Sequence, residues 1–189
     1  PAAPVLQDDA WGTKMFYYPK VVAYDGGCRL FYPAGAASGG FASLWTADKE
    51  AWQPEEGWRF SLPASAAEFR ADGPDIVHWG PGDWRLFFAA SDGDVWRLFQ
   101  SRSVDGRNWD GYSPCLDLSA DGRFNQAKDP CLYRVDGRWF LCFTRFVPYG
   151  PSVLVLARQN GEGWQVFSEL SRLNLDGWRV RTPCIVALP

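Results

Sequence analysis

An all-β fold, a propeller of four-stranded antiparallel blades, is predicted by three observations: a long internal repeat, a second motif locked to it, and the near absence of helical periodicity. The segments "YPKVVAYDGGCRLFYPAG", "GPDIVHWGPGDWRLFFAAS", "DPCLYRVDGRWFLCFTR" and "TPCIVALP" align on Pro19, Pro74, Pro130 and Pro183, spaced by 55, 56 and 53 residues. Each complete unit then carries "TADKEAW", "SVDGRNW" or "RQNGEGW", whose Trp follows the proline by 33, 35 or 34 residues. A period near 55 residues that holds four short strands and a recurrent Trp is a blade pattern.

Within each unit the elements follow from local patterning. A first strand is expected at 20–24, 75–79 and 131–135, a second at 28–33, 84–90 and 138–144, and a third at 41–46, 95–102 and 152–158. Each is an apolar, β-branched or aromatic run bounded by Gly, Pro, Asp or Asn, and the fourth strand follows each Trp. Asp136-Gly137 lies between two such runs and predicts a two-residue type I′ turn. That turn puts Cys131 directly opposite Cys142, at a hydrogen-bonded pair with Cα atoms about 5.5 Å apart and diverging side chains, so two reduced thiols are expected. Asp48, Asp105 and Asn160 are placed to bond the backbone of the turn before the fourth strand, with Trp52, Trp109 and Trp164 packed beside it. Only "ASAAEF" at 64–69 offers a short helical turn.

Pro19, Pro74 and Pro130 are expected to head the innermost strands. This gives a single domain over 1–189, with blades at about 19–73, 74–129 and 130–182, the start of another at 183–189, and a leading strand remnant near Trp11. A closed ring needs at least four blades, so the chain is expected to be a piece of a longer protein whose flanks are covered by further blades.

The composition excludes several classes. A net charge of −3 and a pI near 5.2 give no basic face for nucleic acid or an anionic membrane, and no run of about 20 apolar residues could span a bilayer. Five cysteines without a CxxC pair, beside a single histidine, argue against structural zinc. The compartment stays open, cytoplasmic or secreted, for what reads as a soluble protein. Eleven tryptophans suit a β-rich core and also a sugar-binding surface, where flat rings cover pyranose faces.

"KDPCLYRVDGRWFLCFTR" is similar to the Asp-Pro strand and following hairpin of the five-bladed propeller glycoside hydrolases of families 43, 32 and 68, the arabinanase, xylosidase, invertase and levansucrase group. "GPDIVHWGPGDWRLFFAAS" resembles the blade before it, and "SVDGRNW" the family's third-strand ending. The resemblance implies about three and a half of five blades, carbohydrate as the partner, and carboxylates at the ring axis that cleave or transfer glycosides. Such chemistry needs an acid to protonate the leaving oxygen and a second carboxylate to attack or to activate water. The alternative it leaves open is a catalytically silent, lectin-like propeller.

Carried over by position, Asp129 matches the family's stabilising Asp, while Tyr18 and Thr182 stand where a further Asp and Glu are expected. Asp75, one residue after its proline, is the substitute carboxylate, with Asp8 or Asp9 as others. Lys128, Arg145 and Arg181 are candidates for hydrogen bonds to sugar hydroxyls or a substrate carboxylate, and Tyr18 and Trp11 for flooring a subsite. His78, the only histidine, falls on an innermost strand as a candidate contact for an axial ion or water. No cofactor is expected, an axial calcium ion being the one alternative.

Overall fold

Three antiparallel meanders succeed one another along the chain. In the first, β1 (Lys20–Tyr24), β2 (Gly27–Ala34) and β3 (Gly40–Thr46) pair in order, and two short strands, β4 (Gln53–Pro54) and β5 (Phe60–Ser61), share the outer edge of β3. The second is β6 (Arg70–Gly80), β7 (Asp83–Ser91), β8 (Trp96–Ser103) and β9 (Asp110–Pro114); the third is β10 (Gln126–Val135), β11 (Arg138–Phe146), β12 (Ser152–Asn160) and β13 (Gly163–Leu170). The computed structural model describes residues 18–34, 39–62, 70–91, 95–116, 118, 126–147, 150–170 and 183. Among them there is no helix, and so none long and apolar enough to cross a membrane. The stretch at 64–69 lies outside the described residues.

The second sheet is packed between the other two, which explains its sequence. Leu86, Phe87, Phe88, Ala89 and Ala90 are each exposed by 1% or less. Successive strand residues point to opposite faces, so an unbroken apolar run marks a strand covered on both. Leu86, Phe88 and Ala90 join Phe31, Phe41 and Phe60 of the first sheet, whereas Phe87 and Ala89 join Leu132, Leu141 and Phe143 of the third. The repeated tryptophans fill these seams: Trp109 is buried in the first cluster, and Trp164 packs against the second, edge-on to Phe87. Beyond the third sheet, Tyr133 stacks on Phe140, and Phe140 meets Phe167 edge-on, with Phe167 48% exposed.

The innermost strands correct one expectation. Pro74 and Pro130 do not head β6 and β10, which begin four residues earlier, at Arg70 and Gln126. Proline has no N–H for the ladder and interrupts a strand unless the ladder skips it. Here it does skip, with register shifts between Asp72 and Asp75 and between Lys128 and Cys131. Each proline therefore sits in a β-bulge that bends the strand instead of starting it. The fourth strand of the first sheet also departs from the repeat, since β4 and β5 divide its place on β3.

The turns follow their chemistry. Asp136 and Gly137 have φ of 48° and 76° between the paired Val135 and Arg138, the signs that a type I′ turn requires. Cys131 faces Cys142, no disulfide joins them, and burial, with the neighbouring Cys131 adding to it, pushes the Cys142 thiol up to about 11. Asp48 Oδ1 accepts the N–H groups of Glu50 and Ala51 at 2.8 Å each, and Asp105 Oδ1 those of Arg107 and Asn108 at 2.8 and 2.9 Å. The third unit instead closes by a two-residue hairpin, with Asn160 paired to Gly163.

Two measurements check this packing. Phe87→Ala and Phe88→Ala are each expected to cost about 3–5 kcal/mol in chemical denaturation, because both faces of β7 are core; a sheet with one wet face would tolerate one of them. The second concerns acid. The Ala51 and Glu50 N–H groups and Thr46 hydroxyl lower the Asp48 carboxyl from 3.8 to about 2. Asp105 is lowered too: burial raises it, but the Asn108 and Arg107 N–H groups and the Ser103 hydroxyl outweigh that. A depressed folded pKa stabilises above the unfolded value and is lost as pH falls through the folded one. Asp48→Asn is therefore expected to be less stable than wild type at pH 7, with the gap closing between about pH 4 and pH 2 in urea titrations.

Candidate active site at the blade axis

One residue of each repeat stands in an uncommon backbone state. Tyr18, Gly73 and Asp129, each immediately before a repeat proline, have φ of 49°, 57° and 56°. Glycine adopts this left-handed region freely and aspartate tolerates it, but for a tyrosine it is an outlier. A residue before proline is ordinarily extended, so the shared sign at three such different side chains reflects the position in the blade and not the side chain; in the second and third blades that position lies in the bulge.

The four repeat prolines, Pro19, Pro74, Pro130 and Pro183, line one cavity of about 190 Å³ together with the residues that flank them: Tyr18 and Lys20, Gly73 and Asp75, Asp129 and Cys131. Of the residues singled out from the sequence, Tyr18, Asp75 and Asp129 are thus brought together. Asp129 is 7% exposed and lines the cavity from the bulge of β10. At position 73 a side chain is missing, and a Cβ built there would stand 3.7 Å from the Asp129 Cα.

Asp75 is 3% exposed and engaged on both oxygens. Oδ1 pairs with the Lys20 ammonium of the first blade, and Oδ2 accepts the Leu132 N–H of the third at 2.5 Å. Burial raises its pKa, and the Lys20 charge works against that. This carboxylate spans three blades.

Beside the cavity, Lys128 sits with its ammonium 3.3 Å from the Trp96 ring centroid and 3.4 Å from Asp72 Oδ2. Asp72 Oδ1 accepts the Gly73 N–H at 2.8 Å. Burial pushes the Asp72 carboxyl up and the Asp129 charge adds to this, while Lys128 and the Gly73 N–H oppose it. Arg145 stands away from the cavity, buried at 3% exposure and paired with Glu169 of β13 at 2.7 Å. His78 is exposed and stacks on Trp84 at 4.5 Å, because it lies beyond the bulge toward the far turn of the hairpin. Among the described residues no three His, Cys, Asp or Glu side chains cluster as metal donors. Trp11, Arg181, Thr182, Asp8 and Asp9 lie outside the described residues.

Lys20, Asp72 and Gly73 were not singled out from the sequence. A signal for the first exists: Lys20, Asp75 and Cys131 all follow their repeat proline, and a cation opposite a carboxylate in that column points to a pair. Gly73 could be read from the column before the prolines, where it stands between Tyr18 and Asp129.

No protein-family model and no curated protein matches this chain. Among solved structures, it is similar to an endo-arabinase from Bacteroides thetaiotaomicron, with a TM-score of 0.68 and 17% identity over 87% of this chain and 65% of that one. An endo-1,4-beta-xylanase from the same organism gives 0.64 and 16% over 85% and 56%, and a beta-1,2-mannobiose phosphorylase from Listeria innocua 0.62 and 14% over 82% and 44%. This chain thus spans less than two thirds of each of those structures. At such identities the likeness establishes the fold: three blades of a propeller built like those of carbohydrate-active enzymes.

Proposed function

We propose that this chain is part of a propeller that acts on glycosidic bonds at its axis, with Asp129 as the working carboxylate. The observation that carries the reading is the placement of Asp129, buried in a strand yet lining a cavity that also holds a tyrosine and a lysine. A carboxylate accepts sugar hydroxyl protons or a proton from attacking water, and an aromatic ring covers the apolar face of a pyranose. The fold it shares with an arabinase, a xylanase and a phosphorylase supports the same class.

One observation favours a second reading, carbohydrate binding without turnover: Asp75 is committed to Lys20 and Leu132, and Tyr18 and Gly73 occupy the positions equivalent to Asp129. Assay of the whole protein against a panel of aryl glycosides, alongside a glycan-binding array, separates the two. Turnover supports the first reading, and saturable sugar binding without any product supports the second.

If the protein turns over a glycoside, Asp129→Asn is expected to lower the rate at least about 10²-fold with an unchanged melting temperature. Wild-type-like turnover in that variant would make Asp129 a turn residue only. Asp75→Ala behaves differently. It strips the partner from Lys20 and the acceptor from Leu132 N–H, and is expected to cost about 3 kcal/mol in denaturant unfolding, whatever its effect on activity.

A further inference from the structure

The charges around the axial cavity are unequal, and each comes from a different blade. Among the described residues, the charged groups lining it are Lys20 of the first blade, Asp75 of the second and Asp129 of the third. Two of them form a pair, the Lys20 ammonium meeting Asp75 Oδ1. Asp75 is fixed without help from any ligand, since it is 3% exposed and its other oxygen accepts the Leu132 N–H.

Lys20 differs from its partner in reach. Its side chain is 37% exposed, against 4% for that of Asp75, so the pair is buried at one end and open at the other. An ammonium carries three N–H donors, and the contact with Oδ1 uses one. Holding a flexible lysine in one place ordinarily costs rotamer entropy; here a buried carboxylate has already fixed it before any ligand arrives. Burial pushes the Asp75 carboxyl up, and the Lys20 charge and the Leu132 N–H oppose this, so the ammonium is what favours an ionised Asp75.

We propose that the Lys20–Asp75 pair sets the specificity of the cavity: Lys20 donates a hydrogen bond to a sugar hydroxyl while Asp75 cancels its charge, so that uncharged sugars are taken and uronates rejected. This rests on the carbohydrate reading above. A hydroxyl both donates and accepts, so a neutral sugar can donate to Asp129 and accept from Lys20. A uronate instead brings a second carboxylate into a space lined by Asp129, and the cation among the described lining residues is already balanced by Asp75.

Binding to the whole protein tests the pair independently of turnover. Nitrophenyl glycosides of the gluco, galacto and manno series, each made as the uronamide and as the uronate, differ in charge and hardly in shape. Wild type is expected to bind the uronamide of at least one series at least about tenfold more tightly than its uronate. Asp75→Asn keeps an acceptor for the Leu132 N–H but leaves the Lys20 charge uncancelled, and is expected to narrow or reverse that ratio. Lys20→Met removes the cation, and is expected to widen the ratio and to weaken the uronamide at least about tenfold. Both variants break the same interblade ion pair, so a merely structural tie would lower amide and carboxylate alike in each. A wild type that prefers the uronate, or ratios that fail to move in opposite directions in the two variants, overturns the proposal and leaves carbohydrate binding standing. If the wild type binds none of these glycosides the proposal falls, and if it also binds no glycan on the array the carbohydrate reading falls with it.

Discussion

The rest of the arrangement depends on one buried carboxylate. Asp75 takes the Lys20 ammonium from the blade before it and the Leu132 N–H from the blade after it, so a single side chain ties three innermost strands at the axis. Two charges withdrawn from water this far are costly unless every lone pair and proton is used. Here the cost is offset by placing Lys20 partly in solvent and giving the second oxygen a backbone donor. The apolar seams on either side of the second sheet supply attraction without direction; the Asp75 contacts fix where along the strands the blades meet. A site assembled from strand bulges of several blades needs that registration.

The bulges themselves couple fold to chemistry. In the second and third blades the repeat proline removes a ladder donor, the strand skips past it, and the preceding residue has positive φ; in the first blade Tyr18 has positive φ just ahead of β1. The shared backbone state in three blades puts Tyr18, Gly73 and Asp129 around a common space. What differs among blades is only the side chain carried there: a ring, nothing, and a carboxylate. The scaffold is thus repeated while the cavity it lines is asymmetric, as a ligand with distinct faces would require. The strained tyrosine is the costliest of the three, and its persistence at a cavity wall is of the kind that local packing must over-determine.

Strands and turns were legible because each rests on short-range patterning. The type I′ turn at Asp136-Gly137, the facing cysteines and the carboxylate-braced loops at Asp48 and Asp105 all follow from residue type and spacing. The starts of β6 and β10 were not, since a proline in a strand reads as a boundary unless a bulge absorbs it, and bulges leave no mark in residue alternation. The cavity was legible only as far as the repeat was. Aligning prolines brings Tyr18 and Asp129 into one column, but the commitment of Asp75 to Lys20 depends on how far apart neighbouring blades stand. The placement of Arg145 against Glu169, far along the third sheet, likewise comes from packing and not from the strand end it follows in sequence.

The strands within a blade are not held equally. Stacked repeats hold one another by nearest-neighbour interfaces, and in the described residues both faces of the second sheet meet apolar seams, while its innermost strand also carries polar ties to the blades on either side through Asp75. Opening would then begin on outer strands such as β13, where Phe167 is 48% exposed, and leave Asp75 and Asp129 among the last groups to lose their places.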